Sequence, residues 1–156
     1  ISTRPFCKIR IMNSELEFRA LYDSGASKSI ISLSAFRRLP HTIQRRLIPS
    51  EPTTPAVETA TGEVVVPTGE VKLSFKFANV QQDFTFMFTV LDGVNNDIFI
   101  GYDITTALDL QLFPRQHVLL LGGRRRIPLL GALDNTSTLL LSSRTVKIPA
   151  RNTRPI

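Results

Sequence analysis

One short stretch, Ala20-Leu21-Tyr22-Asp23-Ser24-Gly25-Ala26-Ser27, constrains this chain more than any other. Apolar and polar side chains alternate from residue 15 to residue 20, and this period of two predicts a half-buried β-strand. Asp, Ser and Gly are turn-forming residues, and a second apolar run begins at Ile30-Ile31. The pattern therefore predicts that Asp23 lies between two strands, where its carboxylate is partly desolvated and backbone N–H groups can reach it.

At these residues the chain resembles the retropepsin-like aspartic proteases, which carry Asp-Thr/Ser-Gly-Ala after an apolar strand. A second mark of that family is an apolar-apolar-Gly segment that packs against the Asp loop. Ile98-Phe99-Ile100-Gly101 matches this mark, and Asp103 follows it. The Gly-x-Asp form resembles the proteases of LTR retrotransposons more closely than lentiviral ones. The two motifs in this order are specific together, and the resemblance extends from Pro5 to Leu121.

The resemblance implies an all-β fold, namely a closed β barrel with a flap hairpin and one short C-terminal helix, active as a homodimer. Alternation in Val71–Phe77 and in Phe84–Leu91 predicts two amphipathic strands. Ala56–Pro67 resembles the flap, with its tip at Thr61-Gly62, because glycine permits a tight turn and a close backbone approach. An ordinary surface hairpin is the alternative for this stretch. Further strands are predicted at Pro5–Met12, Glu15–Tyr22, Lys28–Ser32, Ile98–Ile100, Leu110–Phe113 and His117–Leu121.

Three short helical segments are predicted among these strands. Ser34–Leu39 and His41–Leu47 have the composition of helical turns and are separated by Pro40. Asp103 precedes Ile104–Leu108 and is a favoured residue for an N-cap, whose carboxylate accepts a hydrogen bond from a first-turn N–H. This pattern favours a structural role for Asp103 over a catalytic one.

Charge divides the 156 residues into two parts. Residues 1–114 hold 11 Lys/Arg and 12 Asp/Glu, a net charge of −1, whereas residues 115–156 hold 8 Lys/Arg and one Asp, a net charge of +7. We therefore expect a protease-like domain over residues 1–122 and a basic C-terminal extension or connector over residues 123–156. The cluster Arg124-Arg125-Arg126 is more often a solvated basic surface, but it leaves binding of a nucleic acid open.

The remaining composition bounds the class of protein. Apolar runs stay shorter than the ~18 residues of a membrane span, so no membrane partner is expected. A single cysteine, Cys7, lies in an apolar strand pattern and fits a reducing compartment. The expected location is intracellular, in the cytoplasm or within retroelement particles. No cofactor and no metal are expected, because His41 and His117 have no His or Cys neighbours at ligand spacing.

Aspartic protease chemistry requires two carboxylates that share one proton, since like charges so close cannot both ionise. The chain has one Asp-Ser-Gly, so a working site would take Asp23 from each protomer of a two-fold dimer. By resemblance, Ser24 would bond the opposite loop, Gly25 would leave room for substrate backbone and Ala26 would keep the cleft floor small. Substrate contacts are expected from Ser27, Lys28, Thr61, Gly62 and Glu63. Packing against the loop is expected from Ile100, Gly101 and Asp103.

The chain also departs from viral members of the family. Many of those follow Ala with acidic residues and carry Arg after the late Gly, whereas Ser27, Lys28 and Tyr102 stand here. The missing ion pairs predict weaker dimerisation. Two functions remain. The first is a homodimeric aspartic endopeptidase that cuts a retroelement polyprotein. The second is a non-catalytic dimerisation or binding module that keeps the fold and is associated with nucleic acid through its basic tail. The intact Asp23-Ser24-Gly25 favours the endopeptidase.

Overall fold

The computed structural model describes residues 4–58 and 62–131. The strands in this part of the chain are β1 (Phe6–Ile11), β2 (Glu17–Tyr22), β3 (Ile30–Ser32), β4 (Ile48–Pro49), β5 (Val57–Glu58), β6 (Val64–Val65), β7 (Gly69–Phe77), β8 (Asp83–Leu91), β9 (Ile98–Ile100), β10 (Leu110–Phe113), β11 (Val118–Leu121) and β12 (Arg125–Pro128). The helices are α1 (Leu33–Arg37), α2 (His41–Gln44) and α3 (Tyr102–Ala107), with a 3₁₀ turn at Pro114–Gln116.

A closed barrel forms the centre of the fold. Its six strands follow the order β1-β2-β9-β3-β8-β7, and β7 pairs back with β1 to close the ring. Most neighbours are antiparallel, but β2 with β9 and β3 with β8 are parallel. The barrel and its few short helices confirm the all-β, retropepsin-like fold that the sequence predicts.

The barrel core is built around Phe75 on β7. This ring is fully buried, and its centroid lies 5.3–6.2 Å from four other phenylalanine rings of β7 and β8. Along β7 every second side chain is buried, as the alternation predicts. On β8 the last four residues, Phe88–Leu91, are all buried. This end of the strand lies inside the sheet between β7 and β3, and α1 packs against β8. The C-terminal half of β8 is therefore covered on both faces, which alternation alone does not predict.

A separate three-stranded sheet, β10-β11-β12, continues the chain beyond the barrel. Ile127 on β12 is fully buried against the core, and the backbone N–H of Leu130 donates to the carbonyl of Phe6 over 2.7 Å. The domain boundary predicted after residue 122 falls in the turn between β11 and β12, two strands that pair with each other. The structure describes the basic extension only as far as Gly131, and the rest of it, residues 132–156, lies outside the described residues.

The helices agree with the sequence in position but not in capping. Ser32 caps α1, because its hydroxyl accepts a hydrogen bond from the N–H of Ala35 at 3.0 Å. The predicted C-terminal helix is present as α3, but Gly101 is its N-cap and Asp103 lies inside its first turn. The prediction of Asp103 as the N-cap residue is wrong in position, because the helix already begins at Tyr102, but the predicted hydrogen bond from a first-turn N–H is present: the N–H of Ile104 donates to Oδ1 of Asp103 at 2.8 Å. None of the helices in the described ranges is long and apolar enough to cross a membrane.

Candidate active site

The Asp23 loop begins where β2 ends beside β9. The parallel register pairs Tyr22 with Ile100, and the N–H of Asp23 then donates to the carbonyl of Ile100 at 2.9 Å. The N–H of Ala26 donates back to the carbonyl of Asp23 at 3.0 Å, which closes a tight turn. The carboxylate oxygen Oδ1 of Asp23 accepts from the N–H of Gly25 at 3.2 Å. One half-buried carboxylate is thus fixed at the turn, with Ser24 and Gly25 exposed above it.

Gly101 closes the other side of the loop. A Cβ atom at this position would lie 2.6 Å from the carbonyl carbon and oxygen of Lys28 and 2.9 Å from the carbonyl oxygen of Ala26. The next residue, Tyr102, donates its N–H to that same Ala26 oxygen at 2.7 Å. Glycine is therefore required at position 101 because two backbone segments approach each other without room for a side chain. Ile100 and Gly101, both expected to pack on the loop, are in contact with it.

A polar cluster under the loop involves a residue that the sequence analysis did not select, Ser29. Its hydroxyl donates to Oδ1 of Asp103 at 2.7 Å and accepts from the N–H of Gly101 at 2.8 Å. Its N–H donates to Oδ2 of Asp103 at 3.1 Å. Oδ1 also accepts from the N–H of Ile104 at 2.8 Å. The sequence signal for Ser29 is weak, namely one hydroxyl at the start of an apolar strand.

A cleft of about 740 Å³ opens beside the loop. Residues 25–28 line one side of it, including Ser27 and Lys28, and residues 54–58 at the base of the β5–β6 hairpin line another. The hairpin pairs Val57 with Val65, and Gly62 has a φ of +85°, which is the left-handed region that a glycine adopts readily. Gly62 and Glu63 do not line the cleft, and Thr61 lies outside the described residues.

Comparisons with known proteins identify the family and the fold. A model of the aspartyl protease family matches residues 8–104. The chain belongs to the aspartyl protease family. A similar solved structure is the retroviral protease-like domain of Ddi1 from Leishmania major, with 18% identity over 86% of this chain and 96% of that chain and a TM-score of 0.63. The EIAV protease complexed with the inhibitor HBY-793 is 18% identical over 70% of this chain and 92% of that chain, with a TM-score of 0.52. A comparison with curated proteins gives no match.

Within this aspartyl protease fold, the cleft carries more acid than base. Glu51, Glu58 and Glu70 line it together with a single ammonium group, that of Lys28. Lys28 Nζ lies 3.9 Å from Glu70 Oε2, and both side chains are largely exposed. Solvent screens such a pair, so it adds little to stability. The acidic wall is a property of the cleft that charge counts along the sequence do not reveal.

The three positions that depart from viral proteases, Ser27, Lys28 and Tyr102, are all exposed. Ser27 is exposed, and Tyr102 is 58% exposed although its backbone is bonded to the Asp23 loop.

Elsewhere, Cys7 is fully buried in β1, and this burial raises the pKa of its thiol to about 12. The described parts of the chain contain no group of three His, Cys, Asp or Glu side chains placed to hold a metal ion.

Proposed function

We propose that this protein is a homodimeric aspartic endopeptidase whose site is formed by Asp23 from each of two protomers. The observation that carries the proposal is the single carboxylate held at a tight turn beside a peptide-sized cleft. One protomer supplies one such carboxylate, whereas the acid–base chemistry needs two of them across a water molecule. A two-fold dimer supplies the second from the same loop.

Hydrolysis would proceed by proton transfers between the two Asp23 carboxyl groups, the water and the peptide. The ionised carboxylate takes a proton from water as the oxygen attacks the peptide carbonyl carbon. The protonated partner gives its proton to the carbonyl oxygen, so that a neutral tetrahedral diol forms. A carboxyl group then protonates the leaving nitrogen while a carboxylate recovers a diol proton, and the C–N bond breaks. Both groups return to their starting states without a cofactor.

The neighbouring loop residues fit roles in such a dimer. Ser24 is exposed, so its hydroxyl can bond the opposite loop across the two-fold axis. A Cβ on Gly25 would meet only Oδ1 of Asp23, at 3.4 Å, which is an ordinary contact. The protomer alone therefore does not require glycine at position 25, and space for the substrate backbone or the opposite loop explains it. Ser27 and Lys28 would contact the peptide from the cleft wall, with Thr61, Gly62 and Glu63 above it.

We also propose a retroelement polyprotein as the substrate, on the support of the Gly-x-Asp sequence at Gly101–Asp103. The fold by itself does not select this substrate, because a retroviral protease-like domain also occurs in Ddi1 from Leishmania major. The contrast can be tested with peptides drawn from the segments that flank this domain in its own chain. Cleavage restricted to those segments supports a polyprotein protease, whereas equal cleavage of unrelated proteins does not.

A second candidate function is a non-catalytic module that binds nucleic acid. It is favoured by one observation: a second cleft, of about 270 Å³, is lined by Lys8, Arg10 and Lys76 together with Glu17. Arg125, from the basic cluster on β12, donates to Oε1 of Gln82 at 2.8 Å and so brings that cluster near the same side of the barrel. The two functions are separable, because only the protease depends on Asp23.

The experiment that tests the proposal compares the wild-type chain with Asp23→Asn. Asparagine keeps an oxygen for the N–H of Gly25 but removes the charge. Asp92→Asn is a matched control, because Asp92 also accepts from the N–H of a glycine, Gly93, at 2.8 Å, in an exposed turn outside the cleft. We expect cleavage of flanking-sequence peptides at mildly acidic pH, lost in Asp23→Asn and kept in Asp92→Asn. Equal cleavage by the wild-type and Asp23→Asn chains would contradict the proposal, as would no cleavage by any chain.

A further inference from the structure

We propose that Asp103 and Ser29 are positioning residues, which hold the Asp23 loop in its working shape through a fixed set of hydrogen bonds. The inference rests on the proposed protease function, since it assigns a part of that site. Under this proposal Asp103 supports the Asp23 loop in addition to bonding its own helix. Ser29, which the sequence analysis did not select, supports the same loop. Neither side chain would touch the substrate.

The first step is the position of Gly101 in the loop contacts. Three consecutive residues, from the last of β9 to the first of α3, each use a backbone group to bond the Asp23 loop or Ser29. Ile100 accepts from the N–H of Asp23, and Tyr102 donates to the carbonyl of Ala26. Between them, the N–H of Gly101 donates to the hydroxyl of Ser29. The turn that carries the catalytic carboxylate is therefore clamped at both ends, and the middle contact is made by a side chain.

The second step is how Ser29 itself is fixed. It is fully buried, so an unpaired hydroxyl there would be unfavourable. Because its oxygen accepts from Gly101, its hydrogen must point elsewhere, and Oδ1 of Asp103 receives it at 2.7 Å. The N–H of Ser29 is satisfied by the other carboxylate oxygen, Oδ2. One carboxylate thus fixes both the side chain and the backbone of Ser29.

The third step is that a carboxylate at position 103 satisfies every donor that faces it. Three donors converge on its two oxygens: the hydroxyl and N–H of Ser29 and the N–H of Ile104. An amide at the same place would turn one acceptor into an NH₂ donor facing another donor. Asparagine would therefore lose the bond from the N–H of Ser29 in one amide orientation, or the bonds from the hydroxyl of Ser29 and the N–H of Ile104 in the other. Either loss loosens Ser29, the residue that holds the N–H of Gly101.

This cluster also explains how the loop is held without the ion pairs of viral proteases. Ser27 and Tyr102 stand where those proteases place charged side chains, and both are exposed here. The Asp103–Ser29 bonds lie within one protomer and link residues that are 74 positions apart in the chain. The loop is consequently shaped in the protomer before any dimer forms, and dimerisation supplies the second carboxylate rather than the loop geometry.

The test uses Asp103→Asn and Ser29→Ala, with Asp109→Asn as the matched control. Asp109 is exposed and has a φ of +51°, a conformation that asparagine tolerates well. In Asp103→Asn we expect kcat to fall about 100-fold, the effect of a small misplacement of a reacting group, with KM changed much less. The two limbs of the pH–rate profile should also move, because the separation of the two Asp23 carboxylates sets how strongly they interact. Ser29→Ala should lower kcat similarly, and the double variant no further than the worse single one. Asp109→Asn should match the wild type in every measurement.

A second measurement does not depend on activity. Native-state hydrogen exchange should be at least about tenfold faster for the amides of Asp23, Gly101 and Tyr102 in Asp103→Asn, with barrel amides unchanged. Unchanged exchange at these three amides would overturn the inference, as would a fall in kcat fully matched by a fall in folded protein. If the wild-type chain cleaves no peptide, the proposed function fails while the exchange measurement still decides whether Asp103 and Ser29 shape the loop.

Discussion

Replacing Gly101 by alanine tests the loop packing most sharply, because the structure fixes the size of the conflict. The added Cβ would stand 2.6 Å from the carbonyl carbon and oxygen of Lys28 and 2.9 Å from the carbonyl oxygen of Ala26. These are backbone atoms, and Ala26 is tied back to the same segment by the N–H of Tyr102. They cannot rotate away as a side chain could, so the strands or the loop must shift.

Overpacking of this kind destabilises a protein by about 1–3 kcal/mol. A chain of this length loses about 2–4 °C in Tm per kcal/mol, so Gly101→Ala should lower Tm by about 2–12 °C. The conflict is with the Asp23 loop, so activity should fall even at temperatures where the variant is folded.

Thermal unfolding followed by circular dichroism measures the change in Tm, and peptide cleavage well below Tm measures the activity. Gly131→Ala is the control, because a Cβ there would meet no atom of the described residues within 4 Å. A Gly101→Ala chain that melts with the control and cleaves peptide at the wild-type rate would refute the packing described for the loop.

Three further predictions concern other parts of the chain. Burial raises the pKa of the Cys7 thiol from 9.0 to about 12, so the folded state holds this proton where the unfolded state loses it. The free energy of unfolding should therefore fall as pH rises from 9 towards 12, and a Cys7→Ala chain should lack this part of the slope in urea titrations. Gly62→Val should slow turnover more than Gly93→Val, since both glycines have φ near +80° with no described atom within 4 Å of an added Cβ, but only Gly62 belongs to the predicted flap. Equal rates in these two variants would remove the flap assignment. Binding of a labelled oligonucleotide, if it occurs at low salt, should weaken steeply with salt and be lost when Arg124, Arg125 and Arg126 are all changed to alanine, whereas no binding at low salt would reject the nucleic-acid hypothesis.

Local residue patterns predict the individual strands, whereas the closed barrel is what the resemblance to retropepsin-like proteases implies. The alternation along β7 becomes a strand with one buried face, and the uniformly apolar Ile98–Ile100 becomes β9, whose two end residues are fully buried. The Asp23 turn could be located for the same reason, since its residues are turn-forming and stand between two apolar runs. Local pattern and tertiary environment agree at these places.

The parts that sequence reasoning did not predict depend on contacts between distant segments. The bonds from Ser29 to Asp103 exist only because the barrel places β3 beside the start of α3. A local pattern shows Asp103 at the start of a helix and therefore suggests a cap, but it does not show that Ser29, just before β3, also donates two hydrogen bonds to its carboxylate. The burial of Ile127 was also not predicted. Basic residues precede it in the chain and suggest a solvated surface, but pairing of β12 with β11 places its side chain in the core.

The proposal of two half-sites is tested most directly by mixing wild-type chains with an excess of Asp23→Asn chains at fixed wild-type concentration. Random pairing places most wild-type chains in mixed dimers, which hold one ionisable Asp23 side chain instead of two. In an equal mixture about half of the wild-type chains are in mixed dimers, so activity per wild-type chain should fall by about half, and it should approach zero as the excess grows. Activity that stays proportional to the wild-type chains at every ratio, with dimer exchange verified separately, would show that one Asp23 suffices and would contradict the homodimeric site.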